Sequence, residues 1–366
     1  MDESINKLTE RLQIRYPIIQ AGMAGGVTAP ALVAAVSNAG ALGTLGAGYM
    51  SPEQMKEAIR EIKSLTEKPF AVNLFVPEAR VDIEDVREPI QTQLDSIRRR
   101  LRIAEEQGAG GSESGFDYDA YRQSFAEQVS VVVQAKVPVF SFTFGVPSPE
   151  MIHLLKREGI VLIGTATHVK EAQMLESAGV DIIVAQGSEA GGHRGTFHGD
   201  CEDSLVGTIA LVPLIADHVS VPVIAAGGIM DGRGMAAAMA LGAQGVQLGT
   251  AFLACEESGA HEAYKAAVLS CDECSTTVTR TFSGKPARGI VNGFIRQLQP
   301  HAEHVPPYPI MNQLTRVIRQ AAARQSNPEY LSLWAGQAAR LSRRTTAADV
   351  VEKVVDRWQE VVQQMK

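Results

Sequence analysis

The stretch IVLIGTATHVKEAQMLESAGVDIIVAQG, residues 160–187, holds one full turn of a pattern that runs along most of the chain. An apolar run from Ile160 to Ala166 leads into a segment with helical punctuation. Gly179 follows, and a second apolar run spans Val180 to Gly187. Both runs are continuously apolar rather than alternating, as parallel strands covered on both faces require. Gly179 stands where a helix can end in a left-handed cap at least steric cost.

Working outward, six further runs repeat the motif: PIIQA (17–21), ALGTLGAG (41–48), FAVNLFV (70–76), VPVFSFTFG (137–145), VPVIAAGG (221–228) and GVQLGTAF (245–252). In SPEQMKEAIREIKSL (51–65), Ser51 can cap a helix and Pro52 suits its first turn. Met55, Ile59, Ile62 and Leu65 form one apolar stripe. Ser148 and Pro149 repeat the device, and Gly40 and Gly159 mark two more helix ends. Strand, helix, glycine, strand, eight times over, predicts an α/β fold of the (β/α)8 TIM barrel type. The rival, a doubly wound dinucleotide fold, lacks its GxGxxG after any strand, and no P-loop sequence occurs.

Two stretches break the rhythm. Residues 77–128 are too long for one crossover and include the glycine-rich EEQGAGGSESGFDYD (105–119), read as a helical insertion after the third strand. Residues 1–76 and 129–255 then form the barrel. Residues 256–366 form a C-terminal segment that covers the site and closes with helices. Within that segment TFSGKPARGIVNG (281–293) reads as a polar loop. From near Thr346 a helix carries Val350, Val354, Val355, Trp358, Val361 and Val362 on the face that packs against the barrel.

The chain has 366 residues, 45% of them hydrophobic, and a formal net charge of -7, which argues against a nucleic-acid-binding face. Its first residues are polar and no run of about 18 apolar residues occurs, so a cytoplasmic protein without membrane contact is expected. Cysteines stand at 201, 255, 271 and 274. Only Cys271 and Cys274 have metal-like spacing, and one such pair falls short of a zinc site, so no metal is expected.

In a barrel of this class the chemistry lies at the C-terminal strand ends, with phosphate held by the loops after the last two strands. Those loops contain Gly227 and Gly228, and Gly249 and Thr250, able to offer amides and a hydroxyl, although glycines also simply close tight turns. The sixth run ends in AQGSEAGGHRG (185–195), which puts His193 on the same rim. There it is the leading catalytic candidate against the plainer alternative of a solvated loop histidine. Met23 in QAGMAGG can pack on a ring system, and Asn73 and Gln186 offer amides to a heterocycle edge. A flat heterocycle with a phosphate tail is indicated, and flavin mononucleotide (FMN) has that shape. Arg194 and Tyr308 are candidate substrate contacts, with Lys285 and Arg288 weaker ones.

These motifs (QAGMAGG, AVNLF, VAQGSEAGGHRG, PVIAAGGIMDG, GVQLGTAF and WAGQAARL) resemble those of the nitronate monooxygenases over about residues 14–342. The resemblance implies an FMN-dependent enzyme that oxidises alkyl nitronates with dioxygen to a carbonyl compound and nitrite. Propionate 3-nitronate is the family's toxic substrate, so detoxification is the implied role. It further implies that Asn73, Gln186, Gly191, Gly228, Gln247, Leu248, Gly249 and Thr250 bind FMN, with His193 catalytic. A nitronate is already an anion, so His193 would chiefly position and stabilise it; with a neutral nitroalkane it would act as base. A homodimer is a candidate assembly. Two other readings stay open: an FMN-dependent, NAD(P)H-using enoyl-acyl-carrier-protein reductase, and a non-catalytic flavin- or phosphate-binding barrel.

Overall fold

In the computed structural model residues 6–78, 88–104 and 116–365 are described. Their strands are β1 (Ile18–Gln20), β2 (Gly43–Gly46), β3 (Phe70–Phe75), β4 (Val139–Thr143), β5 (Val161–Ala166), β6 (Ile182–Gln186), β7 (Gly192–His193), β8 (Val223–Ala226), β9 (Gly245–Leu248), β10 (Thr276–Thr279) and β11 (Ala287–Ile290). Eight of them pair in the order β1-β9-β8-β6-β5-β4-β3-β2, every neighbour parallel. A parallel bridge between Ile19 and Leu42 joins the two ends, so the sheet closes on itself as the repeat predicts.

The strands are apolar throughout because both faces are covered, but the two faces do different work. Outward residues such as Val72, Phe140, Leu162, Ile183 and Val246 pack under the surrounding helices in the main core. Inward residues near the strand beginnings, including Ile19, Leu42, Val139, Ile163 and Ile224, form a plug with Leu8 and Leu12 from the helix Lys7–Leu12. One pleat further along, inward positions turn polar: Asn73, Ser141, Thr165, Gln186 and Gln247. Asn73 and Ser141 are register partners, and the Asn73 amide donates to Ser141 Oγ at 3.0 Å.

The helix punctuation holds in detail. Ser51 and Gln54 form a reciprocal capping box on the helix Pro52–Leu65, whose Met55, Ile59 and Ile62 are buried. Leu65, at the C-terminal residue of that helix, is exposed instead of completing the stripe. Gly40, Gly159 and Gly179 all take left-handed φ values, 91°, 74° and 88°. The last helix, Ala347–Met365, lies against the helix Gly232–Ala240; a Cβ on Gly232 would sit 2.1 Å from the Trp358 nitrogen, so only glycine permits the contact.

The region between β3 and β4 divides differently from the sequence expectation. The helix Tyr118–Gln134 packs on β3 and on the helix Pro52–Leu65 as a barrel crossover, so a boundary at 128 falls inside it. The helix Glu88–Arg100 leaves the barrel: its Ile90, Leu94 and Ile97 share a second core with Phe282, Phe294, Met311 and Ile318 of the C-terminal segment. Most of the glycine-rich stretch, residues 105–115, lies outside the described residues. Residues 281–293, expected as a loop, contain β11, which pairs antiparallel with β10 on one side and β7 on the other. The glycine, proline and lysine in that stretch hide the strand, because it is stabilised by its partners' ladders rather than by its own apolar pattern. No helix among the described residues is long and apolar enough to cross a membrane.

Candidate active site

A cavity of about 1130 Å3 opens at the C-terminal ends of the barrel strands and continues under the C-terminal segment. His193 is part of its wall. It is not at the tip of a free loop: β7 pairs with β11, setting His193 opposite Ala287. Gln186 braces the same loop from below, donating to the His193 carbonyl at 3.1 Å and accepting from the Gly195 amide at 2.7 Å. The Gln186 amide therefore holds the histidine in place with the atoms that the sequence offered to a heterocycle.

Arg194 goes the other way. Its guanidinium is fully buried and donates to the carbonyls of Gly187, Gln186 and Ser204, at 2.5, 2.9 and 3.3 Å. Alternation along an extended segment sends neighbouring side chains to opposite faces. The expected substrate contact from Arg194 is thus corrected: it is a clamp on the loop, away from the cavity. Lys285 and Arg288 are also outside the cavity wall. Lys285 pairs with Glu78, donates to the Thr196 carbonyl at 3.1 Å and lies 4.6 Å from the Phe144 ring centre, whereas Arg288 holds the Ser188 carbonyl at 2.9 Å.

Around the His193 ring stand Trp334, Phe144, Tyr308 and Phe75, with centroids 5.4, 5.7, 6.2 and 6.5 Å away. Nε2 lies 2.8 Å from Ser283 Oγ. Burial, reinforced by the positive charges of Lys285 and Arg319, pushes the imidazole pKa down to about 3, so the ring is neutral at physiological pH.

The opposite end of the cavity is built from the barrel. Gly227 and Gly228 turn with φ of 116° and 71°, and Thr250 Oγ1 accepts from the Gly336 amide at 3.0 Å. Met23, Asn73, Gln247 and Gly249 line this end. Leu248 does not, since its side chain packs in the outer core, as strand alternation from Gln247 demands. Polar capacity there is left over. Among the described residues nothing in the protein pairs with the Gln247 amide or with Asn73 Oδ1, and both residues face the cavity. Such groups want a polar ligand.

Several wall residues escaped the sequence reading. Tyr49, Tyr121 and Arg319 gather beside Tyr308, whose hydroxyl lies 3.4 Å from that of Tyr121. Burial holds the Tyr308 hydroxyl well above its usual pKa, so it stays protonated. Arg319 Nη2 donates to the carbonyl and side-chain oxygens of Asn312 at 2.7 and 2.8 Å, while its Nε has no partner. Arg319 sits on the amphipathic helix Ile310–Arg324, where sequence alone makes it one more surface charge. Trp334 lies within WAGQAARL, a motif noted without a role. Its function is close packing: a Cβ on Gly191 would come 2.5 Å from the Gly336 nitrogen, and Gln337 donates to the Glu189 carbonyl at 3.0 Å.

The family model described as nitronate monooxygenase matches residues 6–357. The chain belongs to the nitronate monooxygenase family. A probable nitronate monooxygenase of Staphylococcus saprophyticus is 47% identical over 358 residues, covering 97% of this chain and 98% of the relative. Among solved structures, the nitroalkane oxidase of Streptomyces ansochromogenes superposes with a TM-score of 0.88 at 38% identity, over 99% of this chain and 100% of that one. FabK from Thermotoga maritima follows at 0.77 and 32%, over 99% and 98%. For this nitronate monooxygenase family member, oxidation of nitronates is the general activity, and the family implies a flavin as the cofactor.

Proposed function

We propose that the enzyme binds FMN at the barrel end of the cavity and oxidises small alkyl nitronates, propionate 3-nitronate among them, with dioxygen to a carbonyl compound and nitrite, a detoxifying reaction. The observation that carries this reading is the neutral His193, laddered into an aromatic wall and facing a barrel mouth whose amides lack partners. In this proposal Gln247 and Asn73 meet the polar edge of the ring system and Met23 packs against it. Gly227, Gly228, Gly249 and Thr250 receive the phosphate. Gly191 supports the cavity floor by its contact with Gly336. Bound flavin would supply one-electron oxidation and reaction with dioxygen.

The protein's own groups then have separable tasks. Phe75, Phe144, Tyr308 and Trp334 exclude water from the space before His193. Lys285 and Arg319, the two cations that depress the histidine pKa, make the same space favourable to an anion. A nitronate entering it is attracted by these charges and positioned by His193. The Arg319 guanidinium, which lines the cavity, suits a second anionic group, such as the carboxylate of propionate 3-nitronate. On this reading the barrel, residues 6–76 and 118–255, seats the cofactor and residues 256–365 choose the substrate.

The test is the visible spectrum of the purified, oxygen-free protein before and after NADPH and then a nitronate. Flavin bands that ignore NADPH and change with the nitronate are expected. Bleaching by NADPH alone overturns the proposal in favour of a reductase, and absence of flavin bands after FMN supplementation overturns any flavin chemistry here.

A further inference from the structure

We propose that Ser283 fixes the tautomer of His193, so that the ring carries its proton on Nε2 and presents the bare lone pair of Nδ1 to the cavity. This deepens the functional reading above and rests on it for its chemical meaning.

Hydrogen-bond accounting around one hydroxyl carries the argument. Ser283 Oγ has three polar neighbours: His193 Nε2 at 2.8 Å, the Lys285 carbonyl at 3.1 Å and the Lys285 amide at 3.3 Å. A serine hydroxyl has one proton to give and two lone pairs to receive with. The Lys285 amide can only donate and its carbonyl can only accept. If the hydroxyl proton goes to the carbonyl, the two lone pairs receive the Lys285 N–H and an Nε2–H from His193, and every group is satisfied. If the proton goes to Nε2 instead, the buried Lys285 carbonyl loses its donor; no other protein donor reaches it among the described residues. Buried carbonyls are rarely left so.

The second observation concerns the other nitrogen. Nδ1 makes no hydrogen bond within the described protein, while the ring lines the cavity. Gln186, the nearest amide bracing this segment, gives its proton to the His193 main-chain carbonyl and not to the ring. Nδ1 is therefore the atom available to a ligand.

The consequence is directional. A neutral nitroalkane can pass its α-proton to Nδ1: the C–H bond breaks, an N–H bond forms, and the electron pair moves into the nitro group to give the nitronate. The imidazolium so formed keeps Nε2–H on Ser283 and offers Nδ1–H to the new anion. Ser283 touches neither substrate nor cofactor in this scheme, which makes it a positioning residue.

The experiment is two-bond proton–nitrogen correlation on the flavin-loaded protein labelled with 15N-histidine, at neutral pH, with the His193 signals identified by their loss in His193→Gln. Expected are a protonated, pyrrole-type Nε2 and an unprotonated, pyridine-type Nδ1. Ser283→Ala is expected to average the two nitrogens toward a tautomer mixture, and Ser283→Thr, which keeps the hydroxyl, to restore the original pattern. A protonated Nδ1 in the unaltered protein, or a pattern unmoved in Ser283→Ala, overturns the proposal. Should the alanine variant not fold, the spectrum of the unaltered protein decides alone. Nitronate turnover plays no part in the readout, so failure here is distinct from failure of the monooxygenase reading.

Discussion

The two walls of the cavity are built by different rules. The barrel wall is uncharged: Asn73, Gln247 and the glycines at 227, 228 and 249 present amides and backbone, fixed by strand register. The C-terminal wall carries the cations, with Arg316 and Arg319 in it beside Tyr308 and Trp334 and Lys285 just behind, while Phe75 and Phe144 of the barrel complete the rings around His193. A wall of dipoles on rigid strands suits a large, constant ligand. A wall of rings and cations on a separately packed segment suits a small ligand whose identity can be changed without disturbing the barrel.

That division can be broken by substitutions on the C-terminal side of His193. The largest expected effect comes from His193→Gln, which should lower turnover of a neutral nitroalkane by roughly 10^2 to 10^4, and of a preformed nitronate by less, while flavin content stays unchanged. Loss of flavin together with activity would instead show that the histidine belongs to the cofactor's wall. Arg319→Met comes next. Loss of one charge-assisted hydrogen bond, about 1.5–3 kcal/mol, should raise KM for propionate 3-nitronate about 10- to 100-fold and leave an alkyl nitronate without a carboxylate little affected. Equal effects on both substrates would remove Arg319 from any role in choosing between them.

The smallest effect sharpens the electrostatic side. Lys285→Met should raise the His193 titration midpoint from about 3, since it removes the largest depressing charge and leaves Glu78 nearby. The sign for stability follows from proton counting. Between about 3 and 6.5 the unfolded chain holds a proton on this histidine that the folded chain does not. The contribution is complete above 6.5 and is lost as pH falls toward the folded midpoint, so the variant should show a shallower acid loss in thermal unfolding. A midpoint that stays put would mean that burial and Arg319 set it without Lys285.

The barrel was legible because its signal is local and repeated eight times, and the rim motifs at 185–195, 221–228 and 245–252 were legible because register puts strand ends in one place. Arg194 was misjudged since sequence adjacency to His193 says nothing about which face of an extended segment each occupies. Leu248 was carried along with Gln247 for the same reason. Arg319 and Ser283 were invisible for another: their meaning depends on pairing across long gaps, β11 onto β7 and the helix Ile310–Arg324 onto Tyr49. No periodicity within either segment encodes that contact. The strand in 281–293 was missed because its neighbours, and not its own composition, stabilise it.

The bond between Gly336 and Thr250 spans 86 residues, and it has a consequence for how the molecule is made. At about 5–20 residues per second, a ribosome finishes the last barrel strand several seconds before it reaches the segment that closes the cavity. For that interval the nascent chain holds all eight barrel strands, with the mouth open to solvent and the last barrel-packing helix still to come. The cavity gains its cover only when the WAGQ segment arrives, so a chain truncated before residue 336 would keep the barrel strands and lose that cover.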